Sequence, residues 1–333
     1  LKTAREQLKV YRQALLKHAF EGKLTVQWRK ENKDKLETAE ELLKRIQIER
    51  VECYQGELAA WEARGKQGDK PKAPKKLPSA DAEELAEMPD LPAGWAWTRL
   101  GNTNVEVSDG PFGSNLKSSD YVDNGVRVIR LENIGALKFI GEKESFVTDV
   151  KYESLKRHTV SSGDIIFSSF ITENIRVALL PPSVSRAINK ADCFCIRFSG
   201  QTLRNVYAVM FLSTRNVYKQ LESLVHGVGR PRVNTTQLKH VLVPVCGAAE
   251  QKAIIAAIES RLSEVDQLDQ TISSSLHQAE ALRQSILKRA FSGRLVPQDP
   301  GDEPASALLA RIKAEKAARA AENESAKRTR KRA

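Results

Sequence analysis

The sequence predicts an α+β protein: a mixed, mostly β domain inserted between long helices that pair as an antiparallel coiled-coil-like spacer. Three observations predict it. Residues 12–24 (RQALLKHAFEGKL) and 283–295 (RQSILKRAFSGRL) lie 271 residues apart and agree at eight of thirteen positions. Outside residues 91–246 the apolar side chains recur at the helical period. Inside that stretch they form short β-type runs between turn residues. Each repeat copy is followed by a second match, LLKRI at 42–46 against LLARI at 308–312, once five extra residues in the first copy are allowed for. The repeated unit is therefore helix, glycine-containing break, helix, and a helical frame brackets an inserted domain.

In chain order, residues 1–22 carry Leu8, Tyr11, Leu15, Leu16 and Ala19 at helical spacing, with Gly22 as a C-terminal stop. Residues 36–64 form a second, charge-rich helix, so 1–64 is one helical region. Residues 65–90 begin GKQGDKPKAPKKLP, a composition that cannot bury a core and predicts a Lys/Pro-rich linker. From 91 to 246 the strand candidates are 105–107, 126–131, 164–170, 175–180, 193–198 and 241–245, with a helix around 203–224. Cys193 and Cys195 alternate with Phe194 and Ile196, which places both thiols on one strand face. Residues 247–333 hold the spacer helix and a basic tail. The apolar seam Ile254, Ile258, Leu262, Val265, Leu268, Ile272, Leu276, Ala279, Leu282 and Ile286 runs without Pro or Gly. About 40 such residues make a rod of about 60 Å, and an open seam of that length needs a partner helix. The repeat assigns residues 1–22 and 272–293 the same structural job. The first copy has no counterpart of 249–271, so the chain reads as starting in mid-helix, as a fragment or one half of a longer chain would.

Composition narrows the function classes. With 53 Lys and Arg against 42 Asp and Glu the net charge is +11, and residues 95–245 alone hold 19 basic against 13 acidic side chains. A basic inserted domain favours a polyanion partner, and the tail residues Lys327, Arg328, Arg330, Lys331 and Arg332 add a solvated basic end. The four cysteines form no Cys-x-x-Cys and have no histidine at ligand spacing, so no metal site is indicated. No apolar run approaches a membrane span and no signal pattern opens the chain, so it reads as cytoplasmic and reduced. There is no glycine-rich cofactor turn after a strand and no phosphate-binding loop. The aspartates near Pro89 and Val150 are too scattered for a nuclease centre.

Several segments carry a resemblance. LPAGW at 91–95 opens the inserted domain, and GPFGSNLK at 110–117 is followed by Asp120 and Tyr121. GRPRVN at 229–234 precedes Leu238 and Pro244, and EQKAII at 250–255 starts the spacer helix. In that order these segments resemble the specificity subunits of type I restriction-modification systems. The family pattern has two target recognition domains alternating with two conserved helical regions, and one of the former is present here. The resemblance implies a non-catalytic subunit that reads half of a split double-stranded DNA site, with helix length setting the half-site spacing. It implies two modification subunits as partners, which carry S-adenosylmethionine; no cofactor is expected in this chain. Restriction subunits are a further partner, and the chain would act as a homodimer or as one half of a two-domain subunit. The alternative function is a coiled-coil assembly scaffold whose inserted domain binds protein.

Candidate DNA contacts follow from donor chemistry. Ser114, Asn115 and Lys117 sit in a loop whose glycines expose backbone N–H groups, although Gly110 and Gly113 read first as turn residues. Arg127 and Arg130 are an odd number of residues apart, so one strand face cannot hold both. Arg176, Arg186, Asn189 and Lys190 offer long polar side chains for base edges. Arg230 and Arg232 flank Pro231, and Asn234 follows. His158 and His226 read as surface or capping groups. For partner docking the repeated corners offer Phe20 with Leu24 and Phe291 with Leu295, because two equivalent surfaces suit two copies of one partner.

Overall fold

A computed structural model describes residues 1–172, 174–200, 203–225, 231–297 and 299–330. Helices are α1 (Lys2–Phe20), α2 (Val26–Glu31), α3 (Ala39–Ala63), α4 (Ala82–Ala86), α5 (Asp149–Ser154), α6 (Asn205–Leu212), α7 (Arg215–Glu222), α8 (Thr235–His240), α9 (Ala248–Phe291) and α10 (Ala305–Arg330). Strands are β1 (Ala96–Arg99), β2 (Val105–Ser108), β3 (Tyr121–Val122), β4 (Val126–Ile129), β5 (Phe146–Val147), β6 (Thr159–Val160), β7 (Ile165–Ser168), β8 (Val177–Leu179), β9 (Ala187–Asn189), β10 (Cys193–Phe198) and β11 (Leu242–Val245). The chain divides into two compact units, Lys2–Asp269 and Gln270–Ala333 with Leu1. The α+β class and the long flanking helices are as the periodicity predicts.

Within Lys2–Asp269 the strands form sheets in the orders β1-β11, β2-β10-β7-β8 and β3-β5-β4-β9-β6. Pairing is antiparallel except between β4 and β9. Strand alternation explains the layering. On β10, Phe194 and Ile196 face the main core with the helices, while Cys193 and Cys195 face a second core shared with Ile129, Val160 and Ala187 of the five-stranded sheet. The two thiols share a face, as the alternation predicts, and burial pushes both up to about 12. The far side of the five-stranded sheet holds a third core of Val126, Val128, Ile188 and Leu116, closed by Tyr152 and Leu155. Short strands such as β3, β5, β6 and β9 were not legible, because two- and three-residue ladders carry no measurable period.

The frame helices share the main core rather than standing apart from it. Leu16, Ala19 and Phe20 of α1 and Leu42 and Ile46 of α3 bury with Trp95, Tyr207, Phe211 and Ile254. The Phe20 ring meets Tyr207 and Phe211 edge-on, with centroids 5.1 Å away in each case. Arg5 pairs with Asp269 at 3.1 Å and Arg12 with Asp266 at 2.6 Å, so numbers rise along α1 as they fall along α9. That is the antiparallel pairing expected of the spacer. The Lys/Pro-rich segment 65–90 is mostly exposed but not a free tether. Arg50 donates to the Lys75 carbonyl, Asn102 exchanges bonds with the Leu77 backbone, and Arg99 holds both the Pro78 carbonyl and Glu84 of α4.

Three of the sequence motifs converge on one carboxylate. Glu250, 2% exposed at the start of α9, accepts from Thr25 Oγ1 at 2.7 Å, Arg29 Nη1 at 2.6 Å and Trp95 Nε1 at 2.8 Å. Gly22 adopts φ 69°, its carbonyl accepts from Arg29 Nη2 at 2.7 Å, and a Cβ there would run into Pro92. The repeat corner, the LPAGW entry and the EQK start of the spacer are thus parts of one junction.

The distal copy ends alike, with Gly293 at φ 67°. Its face is open, however. Leu15, Leu16, Ala19 and Phe20 are buried, whereas their counterparts Ile286, Leu287, Ala290 and Phe291 are exposed, Phe291 at 90%. Phe20→Ala should therefore cost about 3–5 kcal/mol in denaturant unfolding, while the chemically identical Phe291→Ala should stay within about 0.5 kcal/mol. Equal costs would contradict the asymmetry.

Candidate nucleic-acid interface

The loop 110–117 is braced at both ends. At its root the Asp109 carboxylate accepts from the Gly110 N–H at 2.7 Å and the Asp192 N–H at 3.0 Å, and burial raises the Asp109 pKa. Gly110 lies against the Lys190 backbone so closely that any Cβ would strike the Lys190 carbonyl. Pro111 is buried, and Leu116 plugs the core beneath β4 and β9. Past the loop, Asp120 accepts from the Lys117 N–H at 2.7 Å and pairs with Lys151 of α5 at 3.0 Å; the Lys117 bond, then Lys151, lowers its pKa. Between these anchors Phe112, Gly113, Ser114 and Asn115 are exposed around a turn closed by Asn115 N–H to Phe112 O at 2.8 Å. Ser114, Asn115 and Lys117 therefore project from a fixed platform.

Two of the candidate cations gather beside that root. Arg130, just past β4, and Lys190, just past β9, each place their charge 5.7 Å from the centre of the Tyr121 ring. Arg130 also reaches Ser145 at 3.2 Å and Glu132 at 3.4 Å, with about a third of its side chain exposed. Arg232 joins through Asp192, 3.3 Å away, and stacks on Phe170 at 4.6 Å. Arg186 lies on Tyr152, ion-paired to the exposed Asp149 at 2.7 Å.

Other candidates are engaged by partners within the chain. Asn189 is 1% exposed and donates to the Cys193 carbonyl at 2.6 Å, so base reading by this side chain is corrected to a structural role. The register that pairs it with Ile129 turns it inward. Arg176 bonds the Leu131 carbonyl and Ser168 Oγ, both at 3.1 Å. Arg127 lies on β4 and Arg130 just past its end, so the two do not share a strand face; Arg127 bonds Gly141 and Glu144 and covers Phe139. Asn234 caps α8, its side chain accepting from Gln237 N–H at 2.8 Å. Phe20 is enclosed by its own chain and cannot serve as a docking corner, and Leu24 is half-buried against the same core. Arg230 and His226 lie outside the described residues. Sequence reasoning missed Tyr121 and Phe112, although both stand in the segment that carries the resemblance. It also underused His158, whose Nδ1 lies 2.9 Å from the Asp109 carbonyl.

Among the described residues no group of His, Cys, Asp or Glu is placed to hold a metal ion, and no helix is long and apolar enough to cross a membrane.

Known proteins similar to this chain can be set beside that geometry. No protein-family profile matches it. The type I restriction enzyme EcoAI specificity subunit of Escherichia coli is 28% identical, covering 93% of this chain and 56% of that protein. The type I restriction enzyme MjaVIII specificity subunit of Methanocaldococcus jannaschii is 24% identical over 63% of this chain and 48% of that protein. The chain thus spans about half the length of these curated relatives. A solved structure of the HsdS subunit from Thermoanaerobacter tengcongensis is 21% identical, with a TM-score of 0.41 over 77% of this chain and 57% of that one. The resemblance carried by the motifs is borne out: the chain is a relative of type I specificity subunits.

The loop root should respond to pH. Neutral His158 donates from Nδ1 to Asp109 and accepts from Arg157 Nε at 3.0 Å, and burial, first, lowers its pKa below the ordinary 6.5. The unfolded chain then binds more protons than the fold just below 6.5, so His158 contributes stability above that value and loses it as pH falls through it toward the lowered folded pKa. Unfolding measured across about pH 5–7 should show a slope that His158→Gln reduces; an unchanged slope would remove His158 from the account.

Proposed function

We propose that this relative of the type I specificity subunits is a non-catalytic, sequence-specific DNA-recognition subunit that reads one half of a bipartite double-stranded site. One observation carries the reading: the braced loop 110–117 of the inserted domain lifts Ser114, Asn115 and Lys117 into solvent beside Lys190 and Arg130. Cations of that kind hold phosphates and fix register, while short polar groups and Arg forks reach base edges. The +6 balance of the domain's 19 basic and 13 acidic residues supports a phosphate partner. Arg232 and Arg186, each half exposed, are the remaining contacts we assign to DNA, since both can exchange a carboxylate for a phosphate.

Docking of modification subunits falls to the helical frame, with methyl transfer from S-adenosylmethionine performed by those partners. Of the two repeated corners only the distal one is free to dock, through Phe291 and Leu295, which are 90% and 49% exposed. Continuing the match without a gap sets Val296 against Thr25, so the distal copy also lacks the hydroxyl that reaches a buried carboxylate in the first. A second copy of this chain, or a second recognition half, completes the bipartite reader.

Selection from a random duplex pool, using the chain with its modification subunit, tests the reading. A half-site of about three to five base pairs should be enriched, and Lys190→Ala should lower the slope of log affinity against log salt by about 1. Binding without an enriched sequence would leave a protein scaffold as the better account. Phe291→Ala with Leu295→Ala should abolish co-purification with the modification subunit; full retention would remove the distal corner from docking.

A further inference from the structure

The braced loop spends its largest side chain outside the fold. Phe112 is 71% exposed, although Pro111 before it and Leu116 after it are both buried. Gly110 is pinned on the Lys190 backbone, the Asp109 carboxylate and carbonyl hold the root, and the Asn115 N–H closes the turn on the Phe112 carbonyl. Gly113 beside it has open space where a Cβ would stand. The backbone that carries the ring is therefore held at an apex, so a ligand that covers the ring has little further chain to order.

Its surroundings indicate what that ligand is. Ser114, Asn115 and Lys117 share the loop, and Lys190 stands at its root. A protein-binding patch would place further apolar side chains around the aromatic one. A single aromatic ring among cations and short polar groups matches a nucleic acid, whose bases offer flat π faces between phosphates. Apolar side chains that enter a duplex this way unstack a base step and kink the helix.

We propose that Phe112 is a base-stacking wedge: on the recognised duplex its ring enters a base step while Lys117 and Lys190 hold the flanking phosphates. The proposal rests on the DNA-reading function above and adds a specificity residue to it. A wedge selects by the ease of unstacking, so the half-site should place a flexible pyrimidine–purine step under Phe112.

The test uses the full chain with its modification subunit and the selected duplex, carrying 2-aminopurine at successive positions in separate samples. Wild type should raise the fluorescence at one step. Phe112→Ala should remove that rise and weaken specific binding about ten- to hundredfold, whereas Phe112→Tyr should keep both. The salt slope should be the same in wild type and Phe112→Ala, because the phosphate contacts remain. Unchanged fluorescence and affinity in Phe112→Ala, with sequence selection intact, would overturn the wedge alone. So would loss of modification-subunit binding as the sole effect, which would make the ring a protein contact. Failure of wild type to select any sequence would overturn the DNA-reading function with it.

Discussion

Glu250 is the constraint on which the arrangement of the chain depends. A carboxylate taken out of water is costly unless its lone pairs are filled, and here an indole N–H, a hydroxyl and a guanidinium fill them. Those three donors come from the entry of the inserted domain, the break after α1 and helix α2. Removing one partner of such a buried pair costs about 3–5 kcal/mol, because the remaining charge is left uncompensated. The cluster therefore acts as a selector of geometry. It ties the break after α1, the entry to β1 and the first turn of α9 to one another.

From that junction the rest follows by packing. With α1 and the beginning of α9 held antiparallel, the Phe20 ring is driven between Tyr207 and Phe211, and α6 is fixed against the β2-β10-β7-β8 sheet. That sheet carries the second core on its other face, through Cys193, Cys195 and Ile166, and the five-stranded sheet rests on it. The ends of β4 and β9 then deliver Arg130 and Lys190 to the two sides of one neighbourhood. Parallel pairing of these strands is what brings both cations to Tyr121, since it sends their C-terminal ends the same way.

Charged and polar residues in this domain divide according to what their neighbours already require. Arg176 satisfies a loop carbonyl and a buried serine, Asn189 a strand-end carbonyl, and Arg99 the exit of the 65–90 segment. Such groups could not turn to DNA without leaving buried acceptors empty, which is more costly than an exposed contact gains. Lys190, Lys117 and the loop tip carry no such obligation. The exposed polar surface of the domain is thus what remains after the fold's own polar needs are met.

The sequence by itself determined the helical frame, its repeat and the β character of the insert, because each rests on periodicity over many residues or on a match that extends over thirteen positions. The 193–198 strand was legible to the residue, and so was its two-faced burial, since alternation maps directly onto two cores. The loop 110–117 stood out in the sequence as a candidate, but not its apex ring or the Tyr121 platform, as nothing in residue type says which aromatic is left outside. Only the tertiary structure decided which copy of the repeat is covered, which arginines are spent, and that three separated motifs meet at Glu250. Each of those depends on contacts between residues far apart in the chain, such as Trp95 and Glu250, and burial of one copy rather than the other is a property of the neighbours, not of the repeated residues.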